Sequence, residues 1–557
     1  MTDLYPGVIA NLLLLLGLVL LASSNLYHSK RAKFFIACVF AFVNAKYLLW
    51  RLDQTLPEFS LVADSLWMWG FFITEAFAAI ALNWHFFIMV APTNRSLEAD
   101  QWEAILKSST NLDAVDLFIP TANEPLEVVE HTIKAARDLD YPNLSVWVLD
   151  DGDRPWLKEY CATEGVNYLT REDRTHYKAG NLNNALKHTS APIICVVDAD
   201  FVLERNFLWR TIGFLKDKTI GLVQTPQVFK NPDAIQHNLG GNLAWPESQR
   251  TFSDVIQAGR DRWDNAFCYG TSFVVKRECL EVIGGFPSES ISEDILTTYA
   301  LQGVGFKTRF LNEQLSTGLA TQDIAEYIMQ RCRWCIGTLQ CLFVDRGLLR
   351  SRSLSFIDRL FFLDPIIYHL GTIWTLMLIV APAIYWWFGV APLHSDFGHL
   401  LVVLAPRMLL VTFGFYWLSE KKTIPVVSEV GRVVGVFQFA RAIFGTLINP
   451  FNQKFRITIK KSGAVGGTIY FSIMLPLIGL AAITVMGVAF RYMGLLDNDL
   501  LWRTDFGLMV SLTVYVLWLL YLSCLTCVQR KITGNEETTP IGSIRKSALS
   551  IIKRIAL

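Results

Sequence analysis

Two textures alternate along the chain: long apolar runs at both ends and a polar, punctuated stretch between them. Val8 to about Tyr27, Phe34 to Trp50 and Leu66 to Val90 are rich in Leu, Val, Phe and Trp. Each has roughly the 17–25 residues that an α-helix needs to cross a bilayer. Four more runs of this kind follow the polar stretch: Asp358 to Trp387, Leu400 to Leu418, Thr468 to Ala489 and Phe506 to Leu525. Between the second and third of these, Gly431 to Leu447 sets Arg432 and Arg441 on an apolar background, the pattern of a helix lying at the membrane interface. Lys30, Arg31 and Lys33 follow the first run instead of preceding it, which is not the layout of a signal peptide. With seven spans the positive-inside rule puts the N-terminus outside and the C-terminus inside. Lys421, Lys422, Lys454, Lys460, Lys461 and the Arg530–Lys531 pair then fall in the cytoplasm.

After Pro92 the period changes. Val115 to Pro120 reads as a strand, Thr121 to Pro125 as a polar loop, and Glu127 to Leu139 as a helix with apolar residues at helical spacing. Leu144 to Gly152 is a second strand ending in acids, and Lys178 to Asn183 closes the next unit before a helix. Ile193 to Val197 is a run of mostly β-branched residues, the mark of a strand buried on both faces. Such alternation predicts a right-handed parallel α/β domain. The resulting plan is membrane helices over 1–92, a cytoplasmic α/β domain over 93–350, membrane helices over 351–528 and a short basic tail over 529–557.

Composition sharpens this plan. The 557 residues are 52% hydrophobic and 13% aromatic with zero formal net charge, and the mean hydropathy is +0.34. That is too apolar for an ordinary soluble protein, and a balanced charge gives no hint of nucleic-acid binding. The ten cysteines are scattered and are expected to be free thiols. Cys332–Cys335 and Cys524–Cys527 have zinc-like spacing, but neither has a histidine partner nearby.

The candidate chemistry lies at the strand ends, where open α/β sheets bind ligands. Asp198 and Asp200 end the central strand and suit a hard divalent cation, Mg2+ or Mn2+, which neutralises a diphosphate. Asp150 and Asp151 end another strand, and Lys178 is an electrostatic clamp for the same group. Ser292 is placed to cap a helix whose first turn holds Glu293 and Asp294.

Asp151, Asp200, Asp294 and the set Gln330–Arg333–Trp334, in that order, resemble the processive family-2 glycosyltransferases of the bacterial cellulose synthase group. The resemblance implies a GT-A-type nucleotide-sugar domain between transmembrane helices of the bacterial inner membrane. UDP-glucose would be the donor and a growing β-glucan the acceptor, with the bilayer as surroundings and accessory export subunits as possible partners. Asp294 would be the base, supported by Glu293 and Arg333. Thr121, Asn123, Glu124, Asp150 and Asp151 would hold the nucleotide. Cys268, Tyr269 and Gly270 with Trp334 would form the acceptor end. Phe455, Thr458 and Lys460 resemble the family's gating loop, here spanning about 449–465, with Ile457 in place of Val. Two departures stand out. Ser292 replaces the usual Thr beside the acceptor, and the tail, with Arg545, Lys546, Lys553 and Arg554, is expected to lie on anionic lipid and leaves no room for a PilZ domain. The layout resembles curdlan-type (1→3)-β-glucan synthases most, with cellulose or mixed-linkage synthesis as the alternative. Chitin- or hyaluronan-type synthesis and single-transfer lipid glycosylation are further alternatives.

Overall fold

The computed structural model describes the chain except residues 1–3, 25, 242–244, 248, 453–466, 497–498, 501–502 and 531–557. Three helices precede the polar domain: α1 (Leu4–Ser23), α2 (Lys30–Gln54) and α3 (Ala63–Met89). Within the domain are α4 (Ser96–Ser108), α5 (Leu126–Arg137), α6 (Pro155–Glu164), α7 (Tyr177–His188), α8 (Glu293–Gly303) and α9 (Ile324–Gln340). Beyond it come α10 (Phe356–Phe388), α11 (Phe397–Leu418), α12 (Pro425–Val433), α13 (Val436–Ile448), α14 (Phe471–Tyr492) and α15 (Phe506–Thr526).

Among the described residues, α2, α3, α10, α11, α14 and α15 are long and apolar enough to cross a membrane. The apolar part of α1, Gly7–Leu21, is shorter. The single interface helix expected over 431–447 is instead a pair, α12 and α13, bent by 61° at the break. Gly435 stands at that break as the residue before α13, and glycine there weakens a continuous helix. The segment expected as a gating loop, with Phe455, Thr458 and Lys460, and most of the tail lie outside the described residues.

The domain is built on a seven-stranded sheet in the order β3-β2-β1-β4-β7-β6-β8. Its strands are β1 (Val115–Thr121), β2 (Leu144–Asp150), β3 (Asn167–Leu169), β4 (Ile193–Val196), β6 (Ile220–Gln224), β7 (Phe273–Lys276) and β8 (Lys307–Phe310). A small second sheet pairs β5 (Val202–Leu203) with β9 (Ser316–Thr317). The large sheet is mixed, not parallel: β7 runs antiparallel to both β4 and β6. The strand–helix–strand pattern holds for β1 to β4, whereas β7 enters the sheet from the turn at 268–272. Two apolar clusters cover the faces, one around Leu117, Val148 and Cys195 and the other around Phe118, Leu149 and Ile194. Alternate residues of each strand feed opposite clusters, as the pleat requires. This anchors the strands and brings their polar ends to one edge, since the register sets Thr121 opposite Asp150 and Phe118 opposite Val196.

Candidate active site

The first tip is assembled by internal bonds. Glu124 folds back so that Oε2 accepts from Thr121 Oγ1 at 2.7 Å and from the backbone N–H groups of Ala122 and Asn123. Asp150 is wholly buried. Its carboxylate accepts from Gly152 N and Arg154 N, both at 2.8 Å, from the Arg154 guanidinium, and from Tyr168 Oη at 2.9 Å. Arg154 also donates to Thr121 Oγ1 at 2.7 Å and to the Glu124 carbonyl, so it ties β1, β2 and their loop together. Asp151 is held by Arg171, whose Nε and Nη2 donate to the two carboxylate oxygens at 2.7 and 2.8 Å. The two acids that end β2 are thus both engaged by protein donors. Asp150 is a buried brace, because each of its oxygens already accepts several bonds, and Asn123 is the exposed member of the loop.

The second tip is different in kind. Lys178 sits in the first turn of α7, not before it. Its ammonium donates to Asp198 Oδ1 at 2.5 Å and to the Gly270 carbonyl at 2.6 Å. Burial works to lower its pKa, but Asp198, Glu293 and Asp294 together outweigh burial and raise it. Asp198 is further fixed through its own N–H, which donates to Thr271 Oγ1 at 2.8 Å. Gly270 has φ of 101°, a left-handed conformation, and a Cβ there would meet Asp294 Oδ2 at 3.1 Å and Lys178 Nζ at 3.6 Å. The turn is therefore pressed against the acid and the lysine. Gln224, buried at the end of β6, holds the turn: its amide donates to the Thr271 carbonyl and accepts from Tyr269 N. Cys268 is buried and its N–H donates to Thr298 of α8 at 2.8 Å.

Asp294 and Glu293 open α8. Burial and then the neighbouring Glu293 carboxylate push Asp294 up to about 7, against the pull of Lys178 and of its bond from Ile295 N. Burial also raises Glu293, with Lys178 opposing. Ser292 occupies the cap position, but its side chain makes no capping bond. Its hydroxyl instead faces α9, so close that a Cβ on Gly337 would meet it at 2.1 Å. On α9, burial lowers the Arg333 pKa, offset in part by Glu293, Asp198 and Asp294, which places its charge in the field of the acids. Gln330 lines a small cavity with Phe229, Glu247 and Tyr327. Trp334 carries the Arg331 guanidinium 4.6 Å from its ring centre.

Asp198 and Asp200 fit a divalent cation as hard oxygen donors. The Asp198 side chain is 36% exposed at the strand end. Among the described residues no group of three or more His, Cys, Asp or Glu forms a ready metal cage. A cation there would complete its shell with diphosphate oxygens and water. All ten cysteines are free thiols.

Residues 116–284 match the model of glycosyl transferase family 2. That match spans β1 through β7 and contains Asp150, Asp151, Lys178, Asp198 and Gly270, and it ends before Glu293 and Asp294. The domain is of GT-A type. Relatives among curated proteins are bacterial cellulose synthases. The cellulose synthase catalytic subunit (UDP-forming) of Pseudomonas fluorescens is 31% identical over 485 residues, 86% of this chain and 63% of the relative. Cellulose synthase 1 of Komagataeibacter xylinus is 32% identical over 463 residues, 81% of this chain and 29% of its own length. The catalytic subunit of Xanthomonas axonopodis pv. citri is 36% identical over 334 residues, 58% of this chain and 44% of that protein. The chain thus spans less than two thirds of the length of these relatives.

Sequence reasoning missed Arg154, Tyr168, Arg171 and Gln224. Arg154 directly follows the Asp150–Asp153 turn, which is a faint local signal. Arg171 and Gln224 carry none, because their partners lie on other elements.

Proposed function

We propose that this chain is a processive, inverting, membrane-bound β-glucan synthase that transfers glucose from UDP-glucose and passes the polymer across the bilayer. The carrying observation is the half-buried set Lys178, Asp198, Glu293 and Asp294 around Gly270, in a family-2 domain set between apolar helices. Asp294, with a pKa near 7, removes a proton from the acceptor hydroxyl as that oxygen attacks the anomeric carbon. One base and direct displacement give inversion. Lys178 and Arg333 are cations aimed at the diphosphate as it departs, a role played by fixed charge in a water-poor site. Asp198 and Asp200 would hold a divalent cation, which when bound would supply further charge neutralisation to the leaving group. The braced loop Thr121–Glu124 and Asp151 frame the nucleotide. Cys268, Tyr269 and Trp334 frame the acceptor. The α/β domain faces the cytoplasm of a bacterial cell.

The cellulose synthase relatives favour (1→4) linkage over the curdlan-type (1→3) linkage expected from the helix layout. The deciding experiment uses the full chain purified in detergent with UDP-glucose and Mg2+ or Mn2+, and linkage-specific glucanases on the product. Polymer released by cellulase is the expected result. Release by a (1→3)-β-glucanase alone would reinstate the curdlan reading, and absence of UDP release from UDP-glucose would overturn the donor assignment.

A further inference from the structure

Arg260 is a wholly buried charge that the proposed chemistry does not use. Its guanidinium donates from Nη1 to Asp364 Oδ2 at 2.8 Å and from Nε to the Asn265 carbonyl at 3.0 Å. Nη2 donates to Tyr299 Oη at 2.8 Å and to the Phe361 carbonyl at 2.9 Å. The ring centres of Phe267 and Phe361 lie 4.8 and 5.2 Å from the guanidinium carbon. These partners belong to three different parts of the molecule. Tyr299 is on α8, the helix that opens with Glu293 and Asp294. Asn265 and Phe267 lead directly into the acceptor turn. Phe361 and Asp364 are on α10, the first apolar helix after the domain.

Other contacts run along the same seam. Tyr299 stacks on Phe362 of α10 with ring centres 3.6 Å apart and planes 11° from parallel. Asn265 Nδ2 donates to Asp358 at 3.0 Å near the start of α10, and His85 Nε2 of α3 lies 3.2 Å from Asp364 Oδ1. The bond from Cys268 N to Thr298 joins the turn to α8 directly. A buried ion pair adds little stability over well-packed apolar residues of similar size, because desolvation offsets its attraction. What a guanidinium adds is a planar fork of fixed geometry, which sets several acceptors at defined angles.

We infer that Arg260 and Asp364 are positioning residues: one guanidinium sets the helix bearing Asp294 and the acceptor turn in register with membrane helix α10. The inference rests on the reading of Asp294 as the base. It makes the membrane helices part of the alignment of base and acceptor, so that movement of α10 is felt at Asp294.

The test uses the full chain in detergent with three variants: Arg260→Lys, Asp364→Asn and the apolar pair Arg260→Met/Asp364→Leu. Positioning predicts that kcat falls about 10- to 100-fold in all three, as expected for small misplacements of reacting groups. KM for UDP-glucose stays within about twofold, since the nucleotide tip does not touch Arg260, and the acid limb of the pH profile moves as Asp294 shifts against Glu293, Lys178, Asp198 and Arg333. The apolar pair separates this from a merely structural role. It is expected to recover the wild-type Tm without recovering kcat or the pH profile. Recovery of Tm, kcat and pH profile together would overturn the inference. Amide exchange gives a readout independent of turnover: protection over Glu293–Gly303 and residues 268–272 should drop in the apolar pair. Unchanged protection there would also overturn it. If the wild type releases no UDP from UDP-glucose, the functional reading fails by itself and the exchange data still decide the positioning role.

Discussion

Two strand tips of one sheet carry the same sequence signal, a pair of acids after an apolar run, and the fold uses them in opposite ways. At β2, Asp150 and Asp151 are each met by an arginine, Arg154 and Arg171, and by further donors. That tip is electrostatically satisfied. Near β4, Asp198 shares one lysine with Glu293 and Asp294, and burial lifts both α8 acids above their ordinary pKa values. Three carboxylates facing two cations, Lys178 and Arg333, leave a site that gains from the arrival of positive charge and in which one acid exchanges its proton near neutral pH. Satisfied charge builds a frame, and unsatisfied charge does chemistry.

Breaking the second tip should have the largest effect. Asp294→Asn keeps the shape of the side chain and removes the proposed base. Glucan synthesis should fall about 10²- to 10⁴-fold, the usual contribution of a positioned base. UDP affinity measured by calorimetry should change little, because the nucleotide frame is elsewhere. Full turnover in this variant would remove Asp294 from the mechanism. Breaking the first tip should look different. Arg154→Ala leaves the buried Asp150 carboxylate without its guanidinium and releases Thr121 and the Glu124 carbonyl. A loss on the order of 3 kcal/mol in denaturant unfolding is expected from an uncompensated buried charge. KM for UDP-glucose should rise while the acid limb of the pH profile stays in place. A shifted acid limb with unchanged stability would mean that the two tips are not separate.

How much of this division was legible in the sequence follows from where the partners lie. The apolar strand Ile193–Val196 and the acids after it are contiguous, so both the strand and the candidate metal donors could be read directly. The same holds for Glu293 and Asp294 at the start of α8, since a helix N-terminus has local signatures. The mixed direction of the sheet could not be read, because β7 pairs with β4 across about 80 residues of chain and its antiparallel entry depends on the 268–272 turn. The difference between Asp150 and Asp198 was equally hidden. It lies in Tyr168 and Arg171 on one side and in Lys178 and α8 on the other, reached through tertiary packing, with only Arg154 close in sequence. The break between α12 and α13 left only Gly435 as a trace, within a run whose period reads as one helix.

A smaller change probes how tightly the second tip is built. Gly270→Ala adds a methyl at a φ of 101°, at 3.1 Å from Asp294 Oδ2. The backbone cost is about 1–2 kcal/mol for a non-glycine residue in that region. Relief requires the turn to move away from Asp294 or to release the carbonyl that Lys178 uses. A drop in kcat of roughly tenfold is expected, since 1.4 kcal/mol corresponds to about that factor, together with little change in KM for UDP-glucose. An unchanged kcat would show that the turn has room to adjust without disturbing the acid.

The subtlest change separates the two acids of α8 from each other. Asp294 must be ionised to accept a proton, so synthesis should rise with pH through a value near 7 and flatten above it. Burial is the larger cause of that raised value and the Glu293 carboxylate the next. Glu293→Gln removes a negative neighbour while keeping size and hydrogen-bonding capacity. Loss of like-charge repulsion makes Asp294 easier to ionise, so its pKa falls and the acid limb moves to lower pH. At pH 6 the variant should then retain a larger share of its own maximal rate than the wild type does. The maximal rate itself should be the same or modestly lower, because a weaker base takes the proton less readily. If Glu293 were the base, the same substitution would abolish synthesis across the whole pH range. A profile displaced toward acid assigns the two carboxylates to different roles, and a flat loss reverses the assignment.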